Sequence, residues 1–163
     1  MKVTDNYILF WGGEFSNFYY SPFVDGGKLF PTNEHYFMYQ KAKFFNDKEA
    51  MEKILKADLP KDAKRIGRKV KGFDAEKWGK VSRSFMKDGL RLKFNTYPKL
   101  RKLLLSYSDK KKFVECSPYD KIWGIGLSED DPRAGNKSKW LGTNWLGECL
   151  TEIRDEFINQ RML

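Results

Sequence analysis

Apolar positions change their spacing several times along the chain, and each change marks an element. Tyr7-Ile8-Leu9-Phe10-Trp11 is a short apolar run of strand length, broken by Gly12-Gly13. Phe23-Val24 and Leu29-Phe30 flank Asp25-Gly26-Gly27, which predicts a hairpin with a tight turn. Thr32 offers a hydroxyl to cap a helix running to about Asn46. Asp47 caps the next, with Met51, Ile54 and Leu55 inward. Pro60 suits the first turn of a third helix that ends near Gly67-Arg68. Asp74 caps a long fourth, on which Trp78, Val81, Phe85 and Leu92 recur at helical spacing, with Met86 and Leu90 beside them. Pro98 opens a fifth helix carrying Leu100, Leu103 and Leu104. Phe113 to Cys116 is β-prone, and residues 117–142 form a long glycine- and proline-containing loop. Thr143 caps a last helix with Leu146, Cys149, Leu150, Ile153 and Phe157 on one face. The pattern predicts a mainly α single domain over residues 1–163, with a small N-terminal β-hairpin and a short extra strand.

Composition adds limits. At 163 residues and 40% apolar, the chain has enough material for one real core. One histidine and two cysteines are too few for a convincing zinc site or a disulfide framework, so no metal is expected. Cys116 and Cys149 read as reduced core residues. No apolar run is long enough to cross a bilayer, and Met1 to Tyr7 has no signal-peptide character. The expectation is a cytoplasmic protein without membrane contact.

Charge is uneven. Residues 41–112 carry 23 Lys and Arg against 9 Asp and Glu, a local excess of 14 positive charges. The rest carries 8 against 13. A basic middle favours anionic partners such as phosphorylated metabolites or nucleic acid, although solvated helix faces give the same count. Lys110-Lys111-Lys112 is too short to identify a targeting patch.

Several chemistries fall away. There is no P-loop run, and Gly124-Ile125-Gly126 lacks the third glycine and the βαβ setting of a dinucleotide fingerprint. No serine sits in a nucleophile elbow. His35 stands alone beside Glu34, where a structural hydrogen-bonding role competes with a functional one. What remains is polar residues at the edges of aromatic-rich loops. Asn17 lies between Phe15 and Phe18, and Pro31 to Tyr36 open a helix that continues to Gln40-Lys41-Ala42. Glu115 ends a strand, and Asp120 precedes Trp123-Gly124. Glu34 in a first turn is also what the helix dipole favours for purely structural reasons. Glu34 and Lys41 are seven residues apart, which puts them on one helix face roughly 10 Å apart.

These residues, in this order, resemble the YbiA-like family, also called NADAR for its proposed link to NAD and ADP-ribose. Asn17-Phe18, Pro31 to Tyr36 and Gln40-Lys41-Ala42 carry the resemblance. It continues through Gly67-Arg68, Trp78, Leu92-Lys93-Phe94, Leu103-Leu104, Val114-Glu115 and Asp120. Trp123-Gly124, Asn144, Leu146-Gly147, Leu150, Glu152 and Arg154 complete it. It runs from about Phe10 to Phe157. Tyr20 and the longer segment 125–142 depart from the shorter enterobacterial type.

The resemblance implies a mainly helical fold and hydrolysis of a C1′–N glycosidic bond. Two substrate classes are implied: ADP-ribose on guanine in nucleic acid or nucleotide, and phosphoribosylaminopyrimidine intermediates of riboflavin synthesis. A non-catalytic ADP-ribose or nucleic-acid binder is the rival class. The motif carries over Glu34, Lys41 and Asp120 as catalytic candidates. Trp11, Asn17, His35, Arg68, Glu115, Trp123, Gly124 and Asn144 are the substrate-binding candidates. No cofactor is required. The expected partners are a phosphoribosyl or ADP-ribosyl small molecule, or ADP-ribosylated DNA or RNA.

Bond chemistry suggests roles. Breaking C1′–N builds positive charge on the sugar and negative charge on the leaving nitrogen, which paired carboxylates can relieve. An exocyclic N-glycoside can also ring-open to an iminium that a lysine amine attacks. In that route Lys41 is the nucleophile, Glu34 shuttles the proton, and Asp120 anchors ribose or base. Trp11 or Trp123 is suited to stacking on the base.

Overall fold

The computed structural model describes residues 1–161; Met162 and Leu163, included in the expected domain, lie outside the described residues. The chain forms two compact units, Asn17–Tyr97 and Met1–Ser16 with the chain from Pro98 onward.

In the unit Asn17–Tyr97, a hairpin precedes four helices. Strands β3 (Phe23–Asp25) and β4 (Lys28–Phe30) pair antiparallel. Gly26 and Gly27 both take positive φ, 57° and 75°, which the two-residue turn between right-twisted strands requires. Helix α1 (Asn33–Phe44) follows, capped by the Thr32 hydroxyl accepting from His35 N–H. Helices α2 (Lys48–Lys56), α3 (Pro60–Gly67) and α4 (Ala75–Thr96) complete the unit. Asp47 and Asp74 cap α2 and α4 as the sequence predicts.

Helix α1 is the centre of this unit. Every residue from Thr32 to Gln40 is buried. Such a helix has no single apolar stripe, because α2, α3 and α4 all pack on it. Gly67 of α3 is one reason they can: a Cβ there would lie 2.0 Å from the Met38 sulfur. The buried face of α4 differs from the expected one. It runs through Trp78, Ser82, Met86, Gly89, Leu90 and Lys93, while Val81, Phe85 and Leu92 are only partly buried. Packing close to α1 selects small and polar residues that an apolar count passes over.

Asp47 links α2 to the loop after α3. Its carboxylate accepts from Ala50 N–H at 3.1 Å and Lys71 N–H at 2.9 Å. Those amides, Lys71 first, hold its carboxyl below the usual carboxylate range. Asp47→Ala is expected to cost about 1–2 kcal/mol at pH 7, since it removes a cap and strands two donors. The folded pKa is the lower one, so this stability is present above the unfolded value and is lost as pH falls through the folded value. Urea unfolding across a series of pH values from 7 downward checks it: the gap to wild type narrows in acid.

In the other unit, β1 (Lys2–Val3) pairs antiparallel with β2 (Tyr7–Phe10), and β2 pairs parallel with β5 (Lys112–Glu115) in the register Tyr7↔Lys112 to Phe10↔Glu115. Helices α5 (Pro98–Leu105) and α6 (Trp145–Arg161) belong to this unit, with α6 packed on β5. Arg154 of α6 is fully buried, and its guanidinium donates to the carbonyls of Ser108, Asp109 and Lys111. It clamps the turn that leads into β5.

The sequence expectation for α6 needs one correction. Thr143 does not cap it: the Thr143 hydroxyl donates to Ile122 C=O at 2.6 Å. Asn144 precedes the helix with φ 56°. Its side chain accepts from Glu115 N–H at 2.9 Å and donates to Phe113 C=O at 3.0 Å. An asparagine tolerates this left-handed conformation and satisfies backbone groups of the strand.

Candidate active site

The candidate residues divide between the two units. Asn17, Glu34, His35, Lys41 and Arg68 lie in one, and Trp11, Glu115, Asp120, Trp123, Gly124 and Asn144 lie in the other.

Helix α1 supplies the first group. Glu34 sits in its first turn, 7% exposed, and its N–H donates to Asn17 C=O at 3.0 Å. Lys41 lies two turns on and is half-buried, with its ammonium 4.4 Å from the centroid of the Phe73 ring. Burial lowers the Lys41 pKa below the ordinary lysine value; the Arg68 guanidinium lowers it further and Glu34 raises it. Glu34, Lys41 and Arg68 therefore share one electrostatic neighbourhood. Arg68 is exposed at the end of α3. A lysine with reduced basicity, a carboxylate and an exposed guanidinium are groups that can act as nucleophile, proton carrier and phosphate contact.

His35 is completely buried. Its Nε2 lies 2.9 Å from Ala57 C=O, and its Nδ1 lies 2.8 Å from the Thr32 hydroxyl. A carbonyl only accepts, so Nε2 carries the proton and Nδ1 accepts from Thr32. Burial pushes its pKa down and favours the neutral ring. This geometry makes His35 a strut between α1 and the end of α2.

Asn17 also turns inward. Its Oδ1 accepts from Asn33 Nδ2 at 2.8 Å, and its Nδ2 lies 3.5 Å from the Met86 sulfur. The loop after it exposes Phe18, Tyr19 and Tyr20. Two residues of this region had no role from sequence. Asn33 was only part of the Pro31–Tyr36 motif, and Lys93 only part of Leu92-Lys93-Phe94. Lys93 is completely buried, 5.5 Å from the Tyr19 ring centroid. A fully buried lysine is rare, but no local sequence pattern reveals burial.

In the other unit, Asp120 organises its own loop. Its Oδ1 accepts from Ile122 N–H at 2.9 Å and Trp123 N–H at 2.8 Å. Gly124 is crowded by protein: a Cβ there would stand 3.0 Å from Asp120 C=O and from Glu115 C=O. Trp123 meets Trp145 edge-on at 5.7 Å. Trp11 and Tyr119 form an exposed aromatic pair with centroids 6.0 Å apart. Cys116 is no nucleophile, since burial pushes its thiol up to about 12.

Two concavities among the described residues lie apart from Glu34 and Asp120. One of about 530 Å³ is lined by Tyr7, Trp140, Asn144 and three lysines, and contains neither Glu34 nor Asp120. The other, about 280 Å³, lies between α2 and α3 and is lined by Lys53, Arg65, Lys69 and Lys71 with Glu49. Among the described residues no helix is long and apolar enough to cross a membrane.

Comparison with known proteins bears on this arrangement. The protein irg-1 of Caenorhabditis elegans is 39% identical over 78% of this chain, which spans 60% of that protein's length. An N-glycosidase of Acanthamoeba polyphaga mimivirus is 34% identical over 94% of this chain and 97% of its own. A riboflavin biosynthesis protein of the Zea mays chloroplast is 35% identical over 90% of this chain and 23% of its own. The NMR structure of the Escherichia coli protein YbiA superposes with a TM-score of 0.79 at 32% identity, covering 99% of this chain and 90% of that one. The model of the NADAR domain matches residues 9–158, reaching into both units. The chain belongs to the NADAR domain family.

Proposed function

We propose that the chain, as a single NADAR domain, is an N-glycosidase that removes ADP-ribose from guanine in nucleic acid or nucleotide. The observation that supports the reaction type is Lys41, half-buried with its amine over the Phe73 ring and of reduced basicity, with Glu34 and Arg68 in electrostatic range. In the ring-opened substrate the C1′ carbon is an iminium. Neutral Lys41 adds its lone pair to C1′, and the Glu34 carboxylate takes the proton that the new C1′–N(Lys41) ammonium sheds. It delivers that proton to the base nitrogen as the C1′–N(base) bond breaks and the Lys41 imine forms. Water then adds to the lysine imine, and the sugar aldehyde leaves as the amine is regenerated. Arg68 holds phosphate.

The nucleic-acid substrate is supported by exposed cations on α2 and α3 and by the exposed aromatics Phe18, Tyr19 and Tyr20. Part of that positive charge is offset locally, because Glu49 pairs with Lys53 at 3.0 Å and with Lys71 at 3.7 Å. A second reading, cleavage of a phosphoribosylaminopyrimidine, is favoured by the similarity to the maize riboflavin biosynthesis protein.

The test is mass spectrometry of a short oligonucleotide bearing one ADP-ribosylated guanine, beside a phosphoribosylaminopyrimidine. Loss of the ADP-ribose mass is the expected result. An unchanged oligonucleotide with a cleaved pyrimidine would select the second reading. Tight binding of both without cleavage would mark a binding module.

A further inference from the structure

Asn33 is buried with 0% exposure, yet its Oδ1 has no hydrogen-bond donor among the described residues. Native cores rarely leave such an acceptor unmet, so the position must return something for its cost. Its other amide atom shows what. Nδ2 donates to Asn17 Oδ1 at 2.8 Å and lies 3.5 Å from the Met86 sulfur, which Asn17 Nδ2 also reaches at 3.5 Å. The next residue, Glu34, holds the Asn17 carbonyl through its N–H. Two consecutive residues of α1 thus grip both carbonyls of Asn17. Helix α4 is shaped to allow it: a Cβ on Gly89 would fall 2.0 Å from Asn33 Oδ1 and 2.7 Å from the Tyr36 ring. Glycine lets the orphaned oxygen lie against the α4 backbone.

We propose that Asn33 is a positioning residue: its grip on Asn17 fixes the loop carrying Phe18, Tyr19 and Tyr20 against the first turn of α1 and aims the Glu34 carboxylate. This rests on the reading of Glu34 as the proton carrier. Asn33 itself is out of a substrate's reach. A grip made by one donor predicts that only side chains able to donate at that point will serve.

Asn33→Asp makes that distinction with one atom. Protonated, the carboxyl donates its O–H to Asn17 Oδ1 and restores the grip. Ionised, it only accepts, and it faces an oxygen. The kcat ratio of Asn33→Asp to wild type is therefore expected to rise as pH falls. The titratable groups of this region are Glu34, His35 and Tyr36, which follow Asn33 on α1, Asp25 of β3 and Asp88 of α4, whose charges reach Tyr36, and Lys93 of α4 beside the Tyr19 ring. They are common to both proteins, so their own titrations largely cancel in the ratio. Asn33→Ala is expected to lose about 10- to 100-fold in kcat at every pH, the usual scale for misplacing a reacting group. If either variant folds poorly, Met86→Leu keeps the volume, removes the shared sulfur acceptor, and is expected to lose several-fold in kcat with KM little changed.

The assays use the ADP-ribosylated oligonucleotide and the phosphoribosylaminopyrimidine, with thermal melts of each variant and Glu34→Gln as the control. An inactive Glu34→Gln beside folded Asn33 variants with wild-type kcat and a flat pH ratio overturns the proposal alone. A fully active Glu34→Gln overturns both it and the reading of Glu34.

Discussion

Lys41→Ala is expected to lower turnover by about 10³-fold, the combined scale of a lost nucleophile and its proton transfer. The fold should survive, since Lys41 is half-buried and its aliphatic stem packs while its amine faces the Phe73 ring. Lys41→Met, which keeps that stem, should be equally inactive and at least as stable. Wild type treated with cyanoborohydride during turnover should gain the mass of the reduced sugar on Lys41, and neither variant should. The pH profile carries a second signature. A neutral amine attacks, so the rate rises with pH as Lys41 loses its proton, with a midpoint below the ordinary lysine value. Arg68→Ala removes a cation that disfavours the protonated amine, so it should move the midpoint up as well as weaken phosphate binding. If Lys41→Ala turns over normally while Glu34→Gln is inactive, water attacks C1′ directly and the carboxylates carry the chemistry.

Legibility in the sequence followed the range of the interaction. Thr32, Asp47 and Asp74 could be assigned as caps because a cap bonds to an amide three residues away. The hairpin turn at Gly26-Gly27 was equally local. The parallel pairing of β2 with β5 was not, because its register joins Tyr7 to Lys112 and nothing near either residue encodes the other. Asn144 is the same case: only the strand it serves explains why it replaces Thr143 at the start of α6. At the site, residue types and spacing suggested Glu34 and Lys41, but not that α1 would be buried at every position up to Gln40. That burial is what lowers the basicity of Lys41. It also engages both nitrogens of His35 in the interior, an environment a local motif does not describe.

Gly147→Ala should be the most damaging single methyl in the chain from Met1–Ser16 and Pro98 onward. A Cβ there would lie 2.2 Å from Phe113 C=O and 2.3 Å and 2.5 Å from the two amide atoms of Asn144. The first obstacle is strand backbone, which cannot rotate away as a side chain can. Phe113 is already fixed from three sides, since Thr151 Oγ1 accepts from its N–H, Asn144 donates to its C=O, and its ring packs on Phe15 at 4.9 Å. Relief must come from moving α6 off β5. That shift breaks the Asn144 bonds to Phe113 and Glu115 and strains the Arg154 clamp on residues 108–111. Overpacking and lost buried hydrogen bonds together should cost about 3 kcal/mol or more. For a chain of this size that is a fall in Tm of roughly 6–12 °C, readable by calorimetry. Gly79→Ala is the matched control, because a Cβ there meets no atom within 4 Å and alanine is the better helix former. Its Tm should stay level or rise. Equal changes of Tm in both variants would mean that the approach of α6 to β5 does not set the requirement for glycine at position 147.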